Sequence, residues 1–232
     1  MTNADPEGPG SRDPGAPSFR TLRHGRIGLA LHELRPGPGR PLLLLHGLGE
    51  QSPTEVPAAS AGWPGPVCAL DFTGHGGSDS PHGGGYTAEI LMGDVDAALG
   101  ALGEATIVGR GVGAYVALLA AGARPTLVRG AVLADGPGLA GGGHSPGSPS
   151  LVLPPEGAKG PPDPFALLEL ARDIRPPDYA QSYVRLAVQF SGLDNPVSVA
   201  AVVRPAWLEA VAGEMGVLEE PVATALERYA AV

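Results

Sequence analysis

Asp71-Phe72-Thr73-Gly74-His75-Gly76-Gly77-Ser78-Asp79 closes the short apolar run Pro66–Asp71. A run of that length ending in a Gly-rich turn predicts a buried strand that hands over directly to a polar loop. Upstream, Pro41–His46 contains the unbroken run Leu42 to Leu45 and ends in His46-Gly47-Leu48-Gly49, a second buried strand with a glycine turn at its end. Before it, Arg26–Leu34 alternates and meets the turn cluster Arg35-Pro36-Gly37-Pro38-Gly39, so the two segments read as a hairpin feeding a buried strand. Downstream, Thr87–Leu102 has helical spacing, with Leu91, Val95, Ala98 and Leu102 on one face and Glu89, Asp94 and Asp96 directed to water. Ala105–Gly109 then reads as a strand, Val112–Ala121 as a helix, and Arg129–Ala134 as a strand ending at Asp135.

Apolar strands alternating with helices predict an α/β fold, a mostly parallel sheet with helices on both faces. The second half is less regular. Gly and Pro crowd residues 136–162, a stretch too long for an ordinary connector and hence lid-like. Helices are expected at Pro164–Asp173 and Asp178–Phe190, the latter with Tyr179, Tyr183, Leu186 and Phe190 in register. A last helix is expected from Pro221, with Val222, Leu226 and Tyr229 inward. Val197–Val203 alternates as a strand; Ala206–Ala212 is either another strand or, since Pro205 opens it, a helix. The two cannot be parallel neighbours across two residues, so either one of them is helical or they form a hairpin. The expected organisation is a disordered tail at 1–18, a core at 19–138, a flexible loop at 139–163, and a lid-like helical segment completing the core at 164–232.

The chain has 232 residues, 15 basic and 24 acidic, for a net charge of −9. No clustered basic face exists, which argues against nucleic acid as a partner. Lys159 is the single lysine among the basic residues, which reads as the codon usage of a GC-rich bacterial genome. Cys68 is alone, so no disulfide framework is expected. Met1–Gly8 has no basic start or apolar core of a secretion signal, and no apolar run is long enough for a membrane helix. A cytoplasmic protein without membrane contact is expected. The histidines are scattered, so no metal and no cofactor are expected.

His46-Gly47-Leu48-Gly49, then Asp71 to Asp79, then Gly109-Arg110-Gly111-Val112-Gly113, in that order and each after a strand, resemble the α/β-hydrolase superfamily. Its members show H-G-x-G, D-x-x-G-H-G-x-S-D and the nucleophile elbow G-x-S-x-G. The resemblance runs from about Arg26 to Gly138. It implies that Gly109 and Gly113 flank a sharp strand-to-helix turn, and that the amides of Leu48 and Val112 form the oxyanion hole. It also implies that His46, His75, Asp71 and Asp79 stabilise the loops around it.

Within this resemblance the nucleophile position is Gly111, and none of the histidines (His24, His32, His46, His75, His82, His144) falls where the family keeps its base. Gly213-Glu214-Met215-Gly216-Val217-Leu218-Glu219-Glu220-Pro221 is similar to the family's G-H-x-x-x-x-E-x-P, with Glu214 at the histidine position. Asp135 matches an alternative acid position. The expectation is therefore a family member without a Ser-His-Asp triad that binds a small molecule through Gly47, Leu48, Arg110 and Val112. Arg110 would either hold an anionic group at the helix N-terminus or pair with Glu50. Two alternatives stay open. One is a hydrolase or lyase of small acyl or carbonyl compounds using His46, Asp135 or Glu214. The other is a dinucleotide binder, because Gly109-Arg110-Gly111-Val112-Gly113-Ala114 also fits G-x-G-x-x-A, with Asp135 ending the next strand. A protein partner or homo-oligomer is also open.

Overall fold

The computed structural model describes residues 19–142 and 160–232. Eight strands form one sheet: β1 (Phe19–His24), β2 (Ile27–Arg35), β3 (Leu42–Leu45), β4 (Val67–Leu70), β5 (Ala105–Arg110), β6 (Val128–Ala134), β7 (Val197–Val199) and β8 (Val217–Glu219). Their order is β1-β2-β4-β3-β5-β6-β7-β8. β1 and β2 are antiparallel to each other and β2 to β4; the other neighbours are all parallel. The C-terminal ends of β3 to β8 therefore share one edge of the sheet, where the three glycine motifs lie.

Both faces of the central strands are covered, which is why Leu42 to Leu45 read as an unbroken apolar run. Leu43 and Leu45 enter one core, Leu42 and Leu44 the other. The first core is built from α1 (Ala88–Leu102), α2 (Val112–Ala123), α3 (Pro164–Arg172), α4 (Pro177–Phe190) and α5 (Ala206–Ala212). Among the described residues the second has α6 (Val222–Ala230) alone, with Trp63. The β3–β4 connection on that face holds only one short 3-10 turn, Ala58–Ser60. Arg35 ties this connection to the sheet by donating to the carbonyls of Ala61, Trp63 and Gly65. No helix among the described residues is long and apolar enough to cross a membrane.

Several expectations are corrected. β2 does not pair with β3: β4 lies between them, and the hairpin partner of β2 is β1, an edge strand whose exposed side chains gave no apolar signal. Of the readings left open for Ala206–Ala212 the helix is the one formed, α5, and the last strand is instead Val217–Glu219, too short to register as a pattern. Asp94 is fully buried, not turned to water: Thr73 donates to it through its N–H and its hydroxyl, both at 2.8 Å, and His24 Nδ1 lies 2.7 Å away. On α4 the buried stripe is Ala180, Val184 and Ala187, while Leu186 and Phe190 stay exposed. Small residues win that face because α4 lies close against α2. It packs against α2 and α5. α3 is pinned to the loop before α1, where Glu169 accepts from the N–H groups of Gly85 and Tyr86 and Asp163 from the Tyr86 hydroxyl. The expectation for 1–18 and most of that for the 139–163 loop fall outside the described residues.

Candidate functional site

β5 runs straight into α2 with Gly111 at the apex, at φ 60° and ψ −126°. That positive φ is open to glycine and strained for any other residue. The turn is tight on both sides: a Cβ on Gly113 would lie 2.6 Å from the His46 carbonyl oxygen, and one on Gly109 would strike the Gly113 carbonyl. At Gly111 itself, a Cβ would fall on the carbonyl oxygen of Pro137.

That carbonyl is the central feature of the site. The N–H groups of Leu48 and Val112 both donate to Pro137 O, each at 3.0 Å. The two amides expected to receive a ligand thus donate to the chain's own backbone. The segment is held from behind. Arg175 donates through Nη1 to the carbonyls of Gly138 and Leu139, and Trp207 Nε1 donates to Leu139 O at 2.9 Å. Gly138 makes the turn at φ 75°, and a Cβ there would lie 2.6 Å from that of Leu48. Arg175 is buried with its guanidinium over the Tyr115 ring, and burial pulls its pKa down to about 10. In the sequence Gly136-Pro137-Gly138 opens the Gly/Pro-rich stretch at the end of the core segment. The signal passed over there was a proline between two glycines directly after a strand that ends beside the elbow.

The loops around the elbow are fixed by buried polar groups. His46 accepts the Phe72 N–H at Nε2 (3.1 Å) and bonds the Gly47 carbonyl through Nδ1 (2.7 Å). Burial lowers its pKa, which favours the neutral ring, and both nitrogens are spent within the fold. His75 is equally enclosed, between Gly49 N–H and the Thr73 carbonyl, and burial pushes its pKa down to about 4. Burial would raise the Asp71 carboxyl, but His32 Nε2 and the N–H groups of Gly77 and Ser52 hold it well below the usual carboxylate range. Asp79 accepts from Gly28 N–H at 2.8 Å.

Asp135 does lie at the elbow edge, just past β6, yet its two oxygens accept the N–H groups of Val202 (2.7 Å) and Val203 (2.9 Å). Glu214 is removed from the site altogether. It precedes β8 and so lies at the opposite edge of the sheet, where it pairs with Arg185 at 2.7 Å. Between β8 and α6 only Glu220 and Pro221 remain, and Glu220 is bound to Arg228 and Ser198. The dinucleotide pattern also finds its amides taken: Gly111 N–H donates to Ala134 O and Ala114 N–H to Gly111 O.

Arg110 pairs with Glu50, whose second oxygen accepts the Gly47 N–H at 2.9 Å. This pair stands at the rim of a cavity of about 680 Å³ on the one-helix face, floored by Leu44 and Val108 and bounded by Pro57, Ala134 and Val222. Neither α3 nor α4 supplies a wall to it. A slightly larger hollow of about 760 Å³ lies at the far edge beside Phe19, Cys68 and Leu102, away from all three motifs. Among the described residues, no group of three or more His, Cys, Asp or Glu side chains converges on a point that could hold a metal.

Strand order, elbow and loop motifs together define an α/β-hydrolase fold. Residues 42–231 match the model of the Alpha/beta hydrolase family, and the chain belongs to that family. Among solved structures it is similar to a thioesterase domain from the curacin biosynthetic pathway, at 17% identity and a TM-score of 0.62, over 94% of this chain and 98% of that one. It is also similar to the esterase RhEst1 from Rhodococcus sp. ECU1013, at 22% identity and a TM-score of 0.62, over 92% and 96% of the two chains. At these identities the likeness shows the fold alone. No curated protein sequence matches the chain.

Proposed function

We propose that this chain is a non-hydrolytic member of the family, which binds a small apolar molecule and does not transfer its acyl group. The observation that carries this reading is the Pro137 carbonyl, which accepts from the two amides that would have to stabilise an oxyanion. Gly111 adds to it, because a serine side chain and the Pro137 carbonyl compete for one space. In hydrolases that depend on a triad, loss of the nucleophile or base costs about six orders of magnitude in turnover. What then remains comes largely from the oxyanion hole, and here that hole is filled. A non-serine mechanism finds little support, since His46 and Asp135 spend their polar atoms on the fold and Glu214 lies at the other edge. Binding is supported by the apolar cavity beside the elbow, within the range of about 300–1,000 Å³ for small-molecule sites.

The test is turnover of short-chain p-nitrophenyl esters and acyl thioesters by purified protein, with Gly113→Val as the control that disrupts the elbow. Release at the buffer rate is the expected result. Turnover by the unaltered chain that disappears in the control would overturn the reading.

A further inference from the structure

The cavity on the one-helix face has a distinctive charge arrangement. Its floor is hydrocarbon from Leu44 and Val108, and its sides include Ala134 and Val222. Three side chains able to carry charge line it: His46, Glu50 and Arg110. His46 has both ring nitrogens engaged. Glu50 gives one oxygen to Arg110 and the other to the Gly47 N–H. The rim thus carries one positive and one negative group, each paired with the other.

We infer that the ligand of this cavity is an uncharged, largely hydrocarbon molecule of drug-like size, and that the Glu50–Arg110 pair selects against ions. The inference rests on the binding reading above and names its ligand class. An anion seated over the floor would face the Glu50 carboxylate or have to break the pair to reach Arg110. A cation would meet the converse problem. Either ion would give up its hydration to apolar walls without an unpaired counter-charge to replace it, a cost a neutral molecule avoids. Removing the charge of Glu50 leaves Arg110 as an unpaired cation at the rim, so selection against anions should collapse in Glu50→Gln. The Gln amide oxygen still accepts the Gly47 N–H, so the loop keeps its anchor.

The experiment is calorimetric titration of the full chain at neutral pH with 2-naphthol, 2-naphthoate and 2-naphthylmethylammonium, which share one ring system and differ in charge. The unaltered chain should bind 2-naphthol at least about tenfold more tightly than either ion. Glu50→Gln should tighten 2-naphthoate by about tenfold relative to 2-naphthol. Val108→Phe and Val222→Trp, each filling the cavity from a different element and checked for folding by circular dichroism, should remove binding of all three. If 2-naphthoate binds as tightly as 2-naphthol, or Glu50→Gln changes nothing, while the filling variants still abolish binding, the ligand class is overturned and the binding reading stands. If binding survives both filling variants, or no probe binds the unaltered chain, both fall.

Discussion

Gly111 illustrates how one missing side chain reorganises a site. In a serine-bearing elbow the apex side chain projects into the space above the sheet, and the strain of its backbone is part of the design. With glycine the strain vanishes and the space is open, and the Pro137 carbonyl enters it. Restoring the serine should therefore not restore chemistry. In Gly111→Ser the new Cβ meets backbone and not a yielding side chain, so the bonds from Leu48 and Val112 to Pro137 must stretch or break. We expect Gly111→Ser and Gly111→Ala to lose similar stability in urea unfolding, about 2–4 kcal/mol from overpacking and positive φ together. Neither variant should gain ester turnover. A Gly111→Ser chain as stable as the parent would mean that the Pro137 carbonyl yields readily.

Among elements, the short segment after β6 matters most, and it is held by groups far from it in sequence. Trp207 comes from α5 and Arg175 from the turn between α3 and α4, and both grip the carbonyl of Leu139. Losing one such hydrogen bond costs about 1 kcal/mol. Trp207→Phe keeps the ring and drops the donor, so it should raise the amide exchange rates of Leu48 and Val112 about fivefold through easier opening of the segment. Exchange measured by NMR in the two proteins checks this, and unchanged rates would show that α5 does not seat the segment.

These long-range ties also explain how far the sequence could be read. The central strands and the elbow are legible because burial on both faces and a glycine at every close approach leave local patterns. Asp94 was misread because its partners, Thr73 and His24, lie on other elements. Glu214 was misplaced because a three-residue strand is too short to show on which side of it a motif falls. The Pro137 carbonyl left no pattern at all: a backbone oxygen has no residue type to recognise, and only its flanking glycines hinted at it.

At the scale of the whole molecule, the loops at the C-terminal edge are joined by buried groups that each favour one protonation state, which makes stability depend on pH. His75 has its folded pKa depressed by burial to about 4, against an ordinary value near 6.5 in the unfolded chain. Below that ordinary value the unfolded chain takes up a proton that the folded chain refuses. Its contribution is thus present above about pH 6.5 and is lost progressively as pH falls toward 4. His46, also lowered by burial, acts in the same direction, whereas buried Asp94, with its pKa raised, opposes them by binding its proton more readily when folded. From pH 7 to pH 5 the His75 contribution alone is about 2 kcal/mol. Urea unfolding at the two pH values should show a loss of that order in the parent. In His75→Gln, where no ring can be protonated, the variant should be weaker at pH 7 but should lose less between pH 7 and pH 5. An equal loss in both proteins would mean that His75 is not where acid enters the fold. Asp71, held below the usual carboxylate range, should keep its braces to His32, Ser52 and Gly77 throughout this interval and release them only under stronger acid. The stability lost to acid should therefore come first from the buried imidazoles and, once the pH falls through the ordinary carboxylate range, from Asp71 as well.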